Sequence, residues 1–331
     1  MMKKLLFALI IFSFIAVLAA CGANSDSDAS EDGETIRLGY QKGNTMNLLK
    51  AHGTLDEALH EAGYNVEWKE FSMGAPLIEA LNTDNIDFGH SSDVHSVLMQ
   101  SGGHNVNYVA SESPYPEGVA LLARDGSGIE TLEDLKGKVI GVTNGGNQHY
   151  LLLESLKEAG IDWDEVDMKF YKDASEGLMA FSNDEFDVFG TWDPFYAIVQ
   201  DQNETHTILD GTDLIENRTF YLARDGFAEE QPEALTIILE ELENMDQWAN
   251  EEKREAAEIL AEELGLDPEP LEVANERRQF GVQRMTEEVI ANQQQLADTF
   301  YEAELIDTEI SVQEAVDAYD LDESVFPDNI E

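Results

Sequence analysis

A short run of asparagine and glycine after a predicted strand is the strongest candidate for chemistry in this 331-residue chain. Residues 138–142 (KVIGV) are β-branched and hydrophobic, which predicts a strand. Asn144, Gly145 and Gly146 then predict a tight turn, and Asn147 is a suitable N-cap for the helix that follows. Such a junction directs backbone N–H groups and the positive end of a helix dipole at one point. The run therefore predicts an anion site that needs no cation.

The same run is also compatible with a simple turn, and it matches no nucleotide-binding motif. It lacks the G-x-G-x-x-G spacing of dinucleotide-binding proteins and the Lys-Ser/Thr pair of a P-loop. The sequence also contains no nucleophile elbow and no spaced set of Ser, His and Asp that indicates a catalytic triad. We therefore expect a binding protein rather than an enzyme, with no cofactor.

One group of potential metal ligands lies close together in the sequence. His90, Asp93 and His95 are near neighbours, but two side chains five residues apart on one helix diverge by about 140°. His149 would have to join them from the other half of the fold. The one cysteine, Cys21, leaves no Cys-based metal site and no disulfide framework. A metal-capturing protein is thus an alternative, although no metal site is predicted.

The amino terminus has the pattern of an export signal. Two lysines precede an apolar run over residues 5–18, which is short for a bilayer span. Residues 1–20 look like a bacterial lipoprotein signal peptide, because small residues directly precede Cys21, the expected lipidation site. An ordinary secretory signal that happens to contain a cysteine is the alternative. Residues 21–34 are small, polar and acidic and predict a flexible tether. The protein should therefore be lipid-anchored on the outer face of the bacterial cell membrane.

The composition is strongly acidic, with 69 Asp and Glu against 19 Lys and Arg and a formal net charge of −50. Such a surface repels nucleic acid and anionic lipid headgroups, so neither is expected as a partner. Solubility at high salt or at high external pH explains the acidity more simply than an acidic binding function does. Because salt screens charges over about 10 Å at 0.1 M, an anionic ligand is still possible if local dipoles attract it.

Strand and helix signals alternate from residue 35 onward, which predicts an α/β fold with parallel sheets. We assign residues 35–124 and 218–331 to lobe I and residues 125–217 to lobe II, joined by crossings near Arg124 and Arg218. Ligands of such sheets bind at the carboxyl ends of strands, so we expect a cleft between the lobes that closes by hinge motion. The predicted strands are residues 36–40, 65–71, 86–89, 106–110, 119–124, 138–142, 167–171, 186–190, 205–209 and 218–224.

Polar residues mark two helix starts at the expected cleft. Residues 90–93 (HSSD) follow a predicted strand and offer hydroxyl and carboxylate caps. Residues 191–195 (TWDPF) predict a helix with Asp193 as N-cap and Pro194 as the first helical residue. An anion that bridged the serine-rich start in the first series and Asn147 in the second would hold the lobes closed.

Five short motifs occur in order along the chain and carry a family resemblance: residues 39–44 (GYQKGN), 86–89 (IDFG), 134–138 (DLKGK), 147–150 (NQHY) and 192–195 (WDPF). Over about residues 35–248 the chain resembles the solute-binding lipoproteins of ABC importers for aliphatic sulfonates, in the broader sulfonate, nitrate and taurine group. The resemblance implies a type II periplasmic-binding fold, two α/β lobes around a ligand cleft with extra C-terminal helices. It also implies capture of a small organic anion and its delivery to an ABC permease, and we expect a monomer.

Two departures from the family pattern leave the ligand open. Residues 90–96 (HSSDVHS) stand where the family usually shows a Ser-Thr-Gly-Asp stretch followed by prolines. Residues 144–146 stand where a Lys-Gly-Ser run is commoner. Both departures fall at the expected pocket, so taurine, nitrate, bicarbonate and a pyrimidine precursor are alternatives to a sulfonate.

The resemblance also implies a set of ligand contacts. A sulfonate spreads one negative charge over three oxygens, so it needs several N–H or O–H donors, and aromatic rings can cover its alkyl part. Trp192 is equally compatible with packing in the cleft wall, and Asp193 with a purely capping role. The implied ligand-binding residues are Gln41, Asn44, Ser72, Ser91, Ser92, Gly145, Gly146, Asn147, His149, Tyr150, Trp192 and Asp193.

Overall fold

The computed structural model describes residues 33–319 and 321–330. The predicted signal peptide, Cys21 and most of the tether lie outside this range. The strands are β1 (Thr35–Tyr40), β2 (Asn65–Glu70), β3 (Phe88–Ser92), β4 (Tyr108–Glu112), β5 (Val119–Arg124), β6 (Val139–Val142), β7 (Asp167–Phe170), β8 (Val188–Trp192), β9 (Thr205–Asp210), β10 (Thr219–Ala223) and β11 (Val282–Gln283).

Helices follow most strands and fill the carboxy-terminal third of the chain. In the described ranges, no helix combines the length and the apolar character that a bilayer span requires. The helices are α1 (Thr45–His52), α2 (Thr54–Glu61), α3 (Gly74–Asn82), α4 (Asp93–Ser101), α5 (Asn147–Ala159), α6 (Ala174–Ser182), α7 (Phe195–Gln202), α8 (Phe227–Glu230), α9 (Pro232–Glu251), α10 (Lys253–Leu264), α11 (Pro268–Arg277), α12 (Glu287–Glu302) and α13 (Val312–Tyr319).

Two mixed sheets organise the molecule, one in each lobe. The first has the order β11-β4-β10-β3-β1-β2 and the second the order β7-β6-β8-β5-β9. Strands β1, β2 and β3 run parallel, as do β6, β7 and β8, because a helix crosses over between consecutive members. The sheets are not wholly parallel as the sequence predicted, since β10 pairs antiparallel with β3 and β5 pairs antiparallel with β8.

The chain passes between the sheets twice, at residues 113–118 and at residues 211–218. The second of these segments includes Arg218. The first does not lie near Arg124, because β5 (Val119–Arg124) pairs with β8 and β9 of the second sheet. We therefore propose that lobe II begins before β5 rather than at residue 125. The hydrophobic pattern predicts a strand here but does not show which sheet it joins.

The central strand of each lobe begins two residues later than the sequence predicted and extends to the cleft. The reason is the same in both lobes: the aspartate before the strand accepts a hydrogen bond from the neighbouring strand. Asp87 Oδ2 accepts from Arg37 N at 2.8 Å, and Asp187 Oδ2 accepts from Val139 N at 2.9 Å. Strand β3 therefore includes His90, and the next helix, α4, begins only at Asp93.

Each sheet has a hydrophobic core on both faces, and one core spans the lobes. In lobe I, Leu38 packs towards helices α1 and α9, and Phe220 packs on the opposite face towards α3 and α12. In lobe II the larger core includes Leu152 of α5 together with Val94 of α4 and Phe300 of α12. Helices α4 and α12 thus pack against the second lobe, and this face of the molecule holds the lobes together.

Candidate functional site

The glycine turn lies between β6 and α5, as predicted, but Gly146 rather than Asn147 is the N-cap. Gly145 has φ +66°, which favours glycine, whereas Gly146 has φ −95° and no side-chain cap at the helix start. A Cβ at Gly146 would overlap Thr143 Oγ1. The first amides of α5 are therefore left without a capping side chain, which is the condition for anion binding at a helix start.

Asn147 is the first residue of α5, and its side chain connects the two lobes. Its Nδ2 donates to Asp93 Oδ1 at 2.7 Å and to Asn217 Oδ1 at 2.8 Å. A hydrogen bond thus joins the start of α5 directly to the start of α4, the two helix starts that the sequence analysis identified. The prediction that Asn147 caps α5 was wrong because its amide is engaged by the start of α4 and by the second crossing.

Asp93 is the buried acceptor at this junction. Besides Asn147, it accepts hydrogen bonds from Val94 N at 2.7 Å and from Arg218 N at 3.0 Å. Burial raises the pKa of Asp93 to about 6, although these hydrogen bonds act to lower it. Its partners come from α4, from α5 and from the second crossing, so Asp93 fixes their mutual position.

His149 supports the glycine turn from inside. Its Nδ1 accepts a hydrogen bond from Gly145 N at 3.1 Å, and its ring lies 5.4 Å from that of Phe170. Burial lowers the pKa of His149 to about 4, so the ring is neutral at pH 7 and its Nε2 carries the proton. Sequence reasoning expected this histidine to be a donor, and that nitrogen is the one able to donate.

Gln41 and Asn44 of the β1–α1 loop meet at the buried His90. Gln41 N donates to His90 Nε2 at 3.0 Å, Gln41 Nε2 donates to the His90 carbonyl at 3.0 Å, and Asn44 Nδ2 lies 2.9 Å from His90 Nε2. Burial lowers the pKa of His90 to about 3, and the nearby Arg278 acts in the same direction. The loop is therefore held by a neutral imidazole that the sequence analysis had considered only as a metal ligand.

The three serines of the first lobe occupy different environments. Ser72 is exposed, whereas Ser91 is buried and its hydroxyl has no hydrogen-bond partner among the described residues. Ser92 is the N-cap of α4 and accepts from His95 N at 3.3 Å. Gly74, at the start of α3, packs so closely on Ser91 that a Cβ there would overlap its hydroxyl.

The start of α3 also lacks a side-chain cap. Its N-cap is Met73, which supplies no cap hydrogen bond. Gly74 packs against His95, and Gly145 of the other lobe packs against Leu98. Residues three apart share one face of a helix, so both uncapped starts lie along the same face of α4.

Trp192 ends β8, and Asp193 follows it in a buried ion pair. The indole is half-buried and meets the Phe195 ring edge-on at a centroid distance of 5.5 Å. The Asp193 carboxylate lies 3.0 Å and 3.1 Å from Arg277 Nη1 and accepts from the Tyr115 hydroxyl at 2.6 Å. Helix α7 begins at Phe195 with Pro194 as N-cap, one residue later than predicted, but Asp193 Oδ1 accepts from Ala197 N of this helix at 3.2 Å, as a capping side chain does.

Tyr150 lies apart from the glycine turn. Its ring packs edge-on against Phe300 at 6.0 Å, and it lines a cavity together with Arg218 and residues of both crossings. The predicted contacts thus divide into the β1–α1 loop, the starts of α3 and α4, the glycine turn with His149, and Trp192. The side chains of Asn147 and Asp193 bond protein groups, and Tyr150 lines the separate cavity.

Two arginines near the cleft were missed by the sequence analysis. Arg277 Cζ lies 4.0 Å from the Tyr196 ring centroid, and Arg278 pairs with Glu112 and lies over the rings of Tyr115 and Phe280. An adjacent Arg-Arg pair in so acidic a chain was the available signal. Nothing in the sequence showed that α11 would bring it to the first crossing and to α7.

The described residues contain no group of three or more His, Cys, Asp or Glu side chains placed to hold a metal ion. The two histidines considered as ligands are not on one helix, as the sequence reasoning assumed. His90 belongs to β3 and bonds the β1–α1 loop, whereas His95 belongs to α4 and its Nδ1 lies 2.8 Å from the Ser92 hydroxyl.

Comparison with known sequences identifies one family model and relatives that share a name. Residues 59–256 match the family model described as NMT1/THI5 like. The chain is 31% identical over 291 residues to a protein of Escherichia coli (strain K12) named for binding aliphatic sulfonates, covering 87% of this chain and 90% of that protein. A Bacillus subtilis (strain 168) protein of the same name is 27% identical over 319 residues, which is 96% of this chain and 95% of the relative.

Solved structures resemble the described fold closely. The periplasmic aliphatic sulphonate binding protein SsuA from Escherichia coli superposes with a TM-score of 0.81 at 30% identity, over 86% of this chain and 92% of that chain. The alkanesulfonate-binding protein SsuA from Xanthomonas axonopodis pv. citri, bound to MOPS, superposes with a TM-score of 0.76 at 27% identity. The match covers 86% of this chain and 99% of that chain. The predicted fold class, two α/β lobes of the periplasmic-binding type, is confirmed.

The pKa of His149 generates a pH prediction. Its value is about 4 in the folded protein against 6.5 when unperturbed, so its contribution to stability is fully present above pH 6.5 and is lost as pH falls from 6.5 to about 4. At about 1.4 kcal/mol per pKa unit, the loss is of the order of 3 kcal/mol. His149→Gln keeps an acceptor for Gly145 N but does not titrate. Thermal unfolding of both proteins from pH 7.5 to 4 should show a smaller loss in the variant, and parallel curves would refute the prediction.

The buried pair between Arg277 and Asp193 generates a stability prediction. The Asp193 side chain is 2% exposed, so Arg277→Ala leaves a buried carboxylate without its cation and should cost about 3 kcal/mol of unfolding free energy. Arg254→Ala is the matched control, because that arginine pairs with Glu258 and Glu272 at 46% exposure, where solvent screens the charges, and its loss should cost much less. Urea titration measures both variants, and equal costs would contradict the assignment.

Proposed function

Because this chain belongs to the NMT1/THI5-like family, we propose that it is an extracytoplasmic binding protein that captures a small aliphatic sulfonate and delivers it to the permease of an ABC importer. Relatives that cover most of its length are named for binding aliphatic sulfonates. The same relatives are named as binding proteins, which supports a role without catalysis.

The observation that carries this proposal is the pair of uncapped helix starts on one face of α4. Helix α3 of lobe I begins after Met73, whose side chain makes no cap hydrogen bond. Helix α5 of lobe II begins after Gly146, which has no side chain to cap it. Backbone N–H groups and the helix dipoles favour a negative charge at such positions. A sulfonate has three equivalent oxygens, so it can accept from both starts at once and hold the lobes closed.

The charges around the site favour a ligand that carries one negative charge and no titratable proton. Burial keeps His90 and His149 neutral, and Arg277 and Arg278 are already paired with Asp193 and Glu112. Donors in the cleft are therefore neutral N–H and O–H groups, which suit an anion whose charge is delocalised and independent of pH.

Exposed apolar side chains at the rim can cover an alkyl chain. Met73 is 47% exposed at the start of α3, and Phe170 is 53% exposed at the end of β7, beside His149. One belongs to each lobe, and Trp192 adds a half-buried indole at the end of β8. We propose that these three residues select for the alkyl part, at about 0.8 kcal/mol for each methylene buried.

The proposed contacts are a subset of those implied by the sequence. We retain Gln41, Asn44, Ser72, Ser91, Ser92, Gly145, Gly146, His149 and Trp192. Asn147 and Asp193 are assigned to positioning of the lobes, because their side chains are bonded to protein groups.

Anchoring is proposed from the sequence pattern. We propose that Cys21 is lipidated after removal of residues 1–20, so that residues 21–34 tether a monomeric binding protein to the outer face of the cell membrane. Such a tether keeps the protein close to its permease.

Calorimetry with a ligand panel tests the proposed function. Butanesulfonate should bind at least tenfold tighter than methanesulfonate, since three additional methylenes are buried, and both should bind more tightly than nitrate, sulfate or bicarbonate. Taurine and MOPS show whether an ammonium group or a ring is accepted. Tightest binding of nitrate or bicarbonate, or no binding of any sulfonate, would overturn the proposal.

Replacement of Gly146 tests whether a bare backbone is needed at the start of α5. Gly146→Ala introduces a Cβ that overlaps Thr143 Oγ1 and lies 2.9 Å from Gln148 Oε1. The matched variant is Thr143→Ala/Gly146→Ala, which removes the first overlap and releases the Gln148 amide from its bond to Thr143, so that its end can shift. With φ at −95°, alanine adds no backbone strain. The double variant should melt like Thr143→Ala alone but bind butanesulfonate at least tenfold more weakly. If both variants bind equally, the glycine serves only the turn.

A further inference from the structure

A cavity of about 430 Å³ lies behind the crossings, on the side where α4, α5 and α12 pack together. Its wall includes Pro114 and Pro116 of the first crossing, residues 212–216 and Arg218 of the second, and residues of α12. This volume lies within the range of small-molecule sites, roughly 300–1,000 Å³. The glycine turn and the β1–α1 loop do not line it, so it is separate from the sulfonate cleft.

Tyr150 presents a polar group without a partner to this cavity. The residue is 4% exposed, and its hydroxyl makes no hydrogen bond to any of the residues that the structure describes. Burial raises the pKa of Tyr150, and the negative charges of Glu154, Asp93 and Glu216 act in the same direction. A buried tyrosine hydroxyl usually has a partner, so this one indicates a ligand group or water.

The wall contains groups of both charges. Arg218 is 7% exposed, and its Nη2 lies 3.0 Å from Glu216 Oε2 in an ion pair. Glu216 is partly exposed, and Asp213 is exposed. A ligand with a single charge meets a like charge in this ion pair, whereas a ligand that carries both charges can oppose it.

We propose that this cavity is a second binding site, for a small zwitterion that carries an ammonium group and a carboxylate. The carboxylate accepts from the Tyr150 hydroxyl and faces Arg218. The ammonium group faces Glu216 and Asp213. This inference goes beyond the proposed function, because it concerns a different ligand and a different part of the molecule.

Occupancy of the cavity is coupled to the hinge by geometry. The wall joins both crossings with Asp93 of lobe I and Tyr150 of lobe II. A ligand that contacts all of these groups binds with different affinity when the lobes rotate. By linkage, its binding then changes the affinity of the cleft for its own ligand by the same factor.

The test uses glycine betaine as the zwitterion, with choline and acetate as probes that carry one charge each. Calorimetry on the mature protein should show binding of betaine at least tenfold tighter than of either probe. Tyr150→Phe removes the hydroxyl and keeps the ring on Phe300, so it should weaken betaine at least tenfold. Tyr301→Phe, at an exposed tyrosine of α12, is the matched control and should leave betaine affinity unchanged.

A second variant blocks the cavity without removing an internal hydrogen bond. Asn292 lines the cavity and its side chain makes no hydrogen bond within the described part of the chain, so Asn292→Phe fills the space. It should abolish betaine binding while butanesulfonate still binds. Failure of betaine to bind wild-type protein, equal affinity in Tyr150→Phe, or competition of betaine with butanesulfonate for one site would each overturn the proposal. Loss of sulfonate binding alone would overturn only the proposed function.

Discussion

The arrangement of the two lobes depends on two buried carboxylates, Asp93 and Asp193. Each directly follows the central strand of its own lobe, and each accepts hydrogen bonds from groups outside that lobe. Asp93 accepts from Asn147 of lobe II and from the second crossing, whereas Asp193 is held by Arg277 and by Tyr115 of the first crossing. An unpaired buried carboxylate costs several kcal/mol, so the crossings and the opposite lobe must keep these positions.

The two aspartates are equivalent because the lobes repeat one pattern. The strand before each of them is preceded by an aspartate that bonds the neighbouring strand, Asp87 in lobe I and Asp187 in lobe II. What differs is the partner at the cleft. Burial raises the pKa of both carboxyls, that of Asp93 to about 6, but Asp93 accepts from the neutral amide of Asn147, whereas Asp193 faces the guanidinium of Arg277. One carboxylate therefore joins the lobes through hydrogen bonds, and the other joins them through an ion pair with α11.

Local sequence signals predicted the elements and the glycine turn, but not the contacts between distant segments. The glycines and the β-branched run at residues 138–142 act locally, so the junction between β6 and α5 could be predicted. That β5 would pair with β8 depends on sheet order, which hydrophobic periodicity does not encode. The engagement of Asn147 by Asp93, and of Asp193 by Arg277, depends on segments more than 50 residues apart. The predicted contacts in the β1–α1 loop lie together because a buried His90, read only as a possible metal ligand, bonds Gln41 and Asn44.

A chain with a net charge of −50 can hold an anion because its cleft combines neutral donors with paired cations. Arg278 is paired with Glu112, and burial keeps the nearby His90 uncharged, so neither contributes an unpaired positive charge. In the site that we propose, the attraction comes from dipoles at the starts of α3 and α5, which act over one helical turn and are little affected by the acidic surface once salt screens it. Such a site binds an anion only when both lobes present their helix starts together. The two buried carboxylates fix that relative position, and for this reason the folding constraint and the proposed binding site cannot be separated.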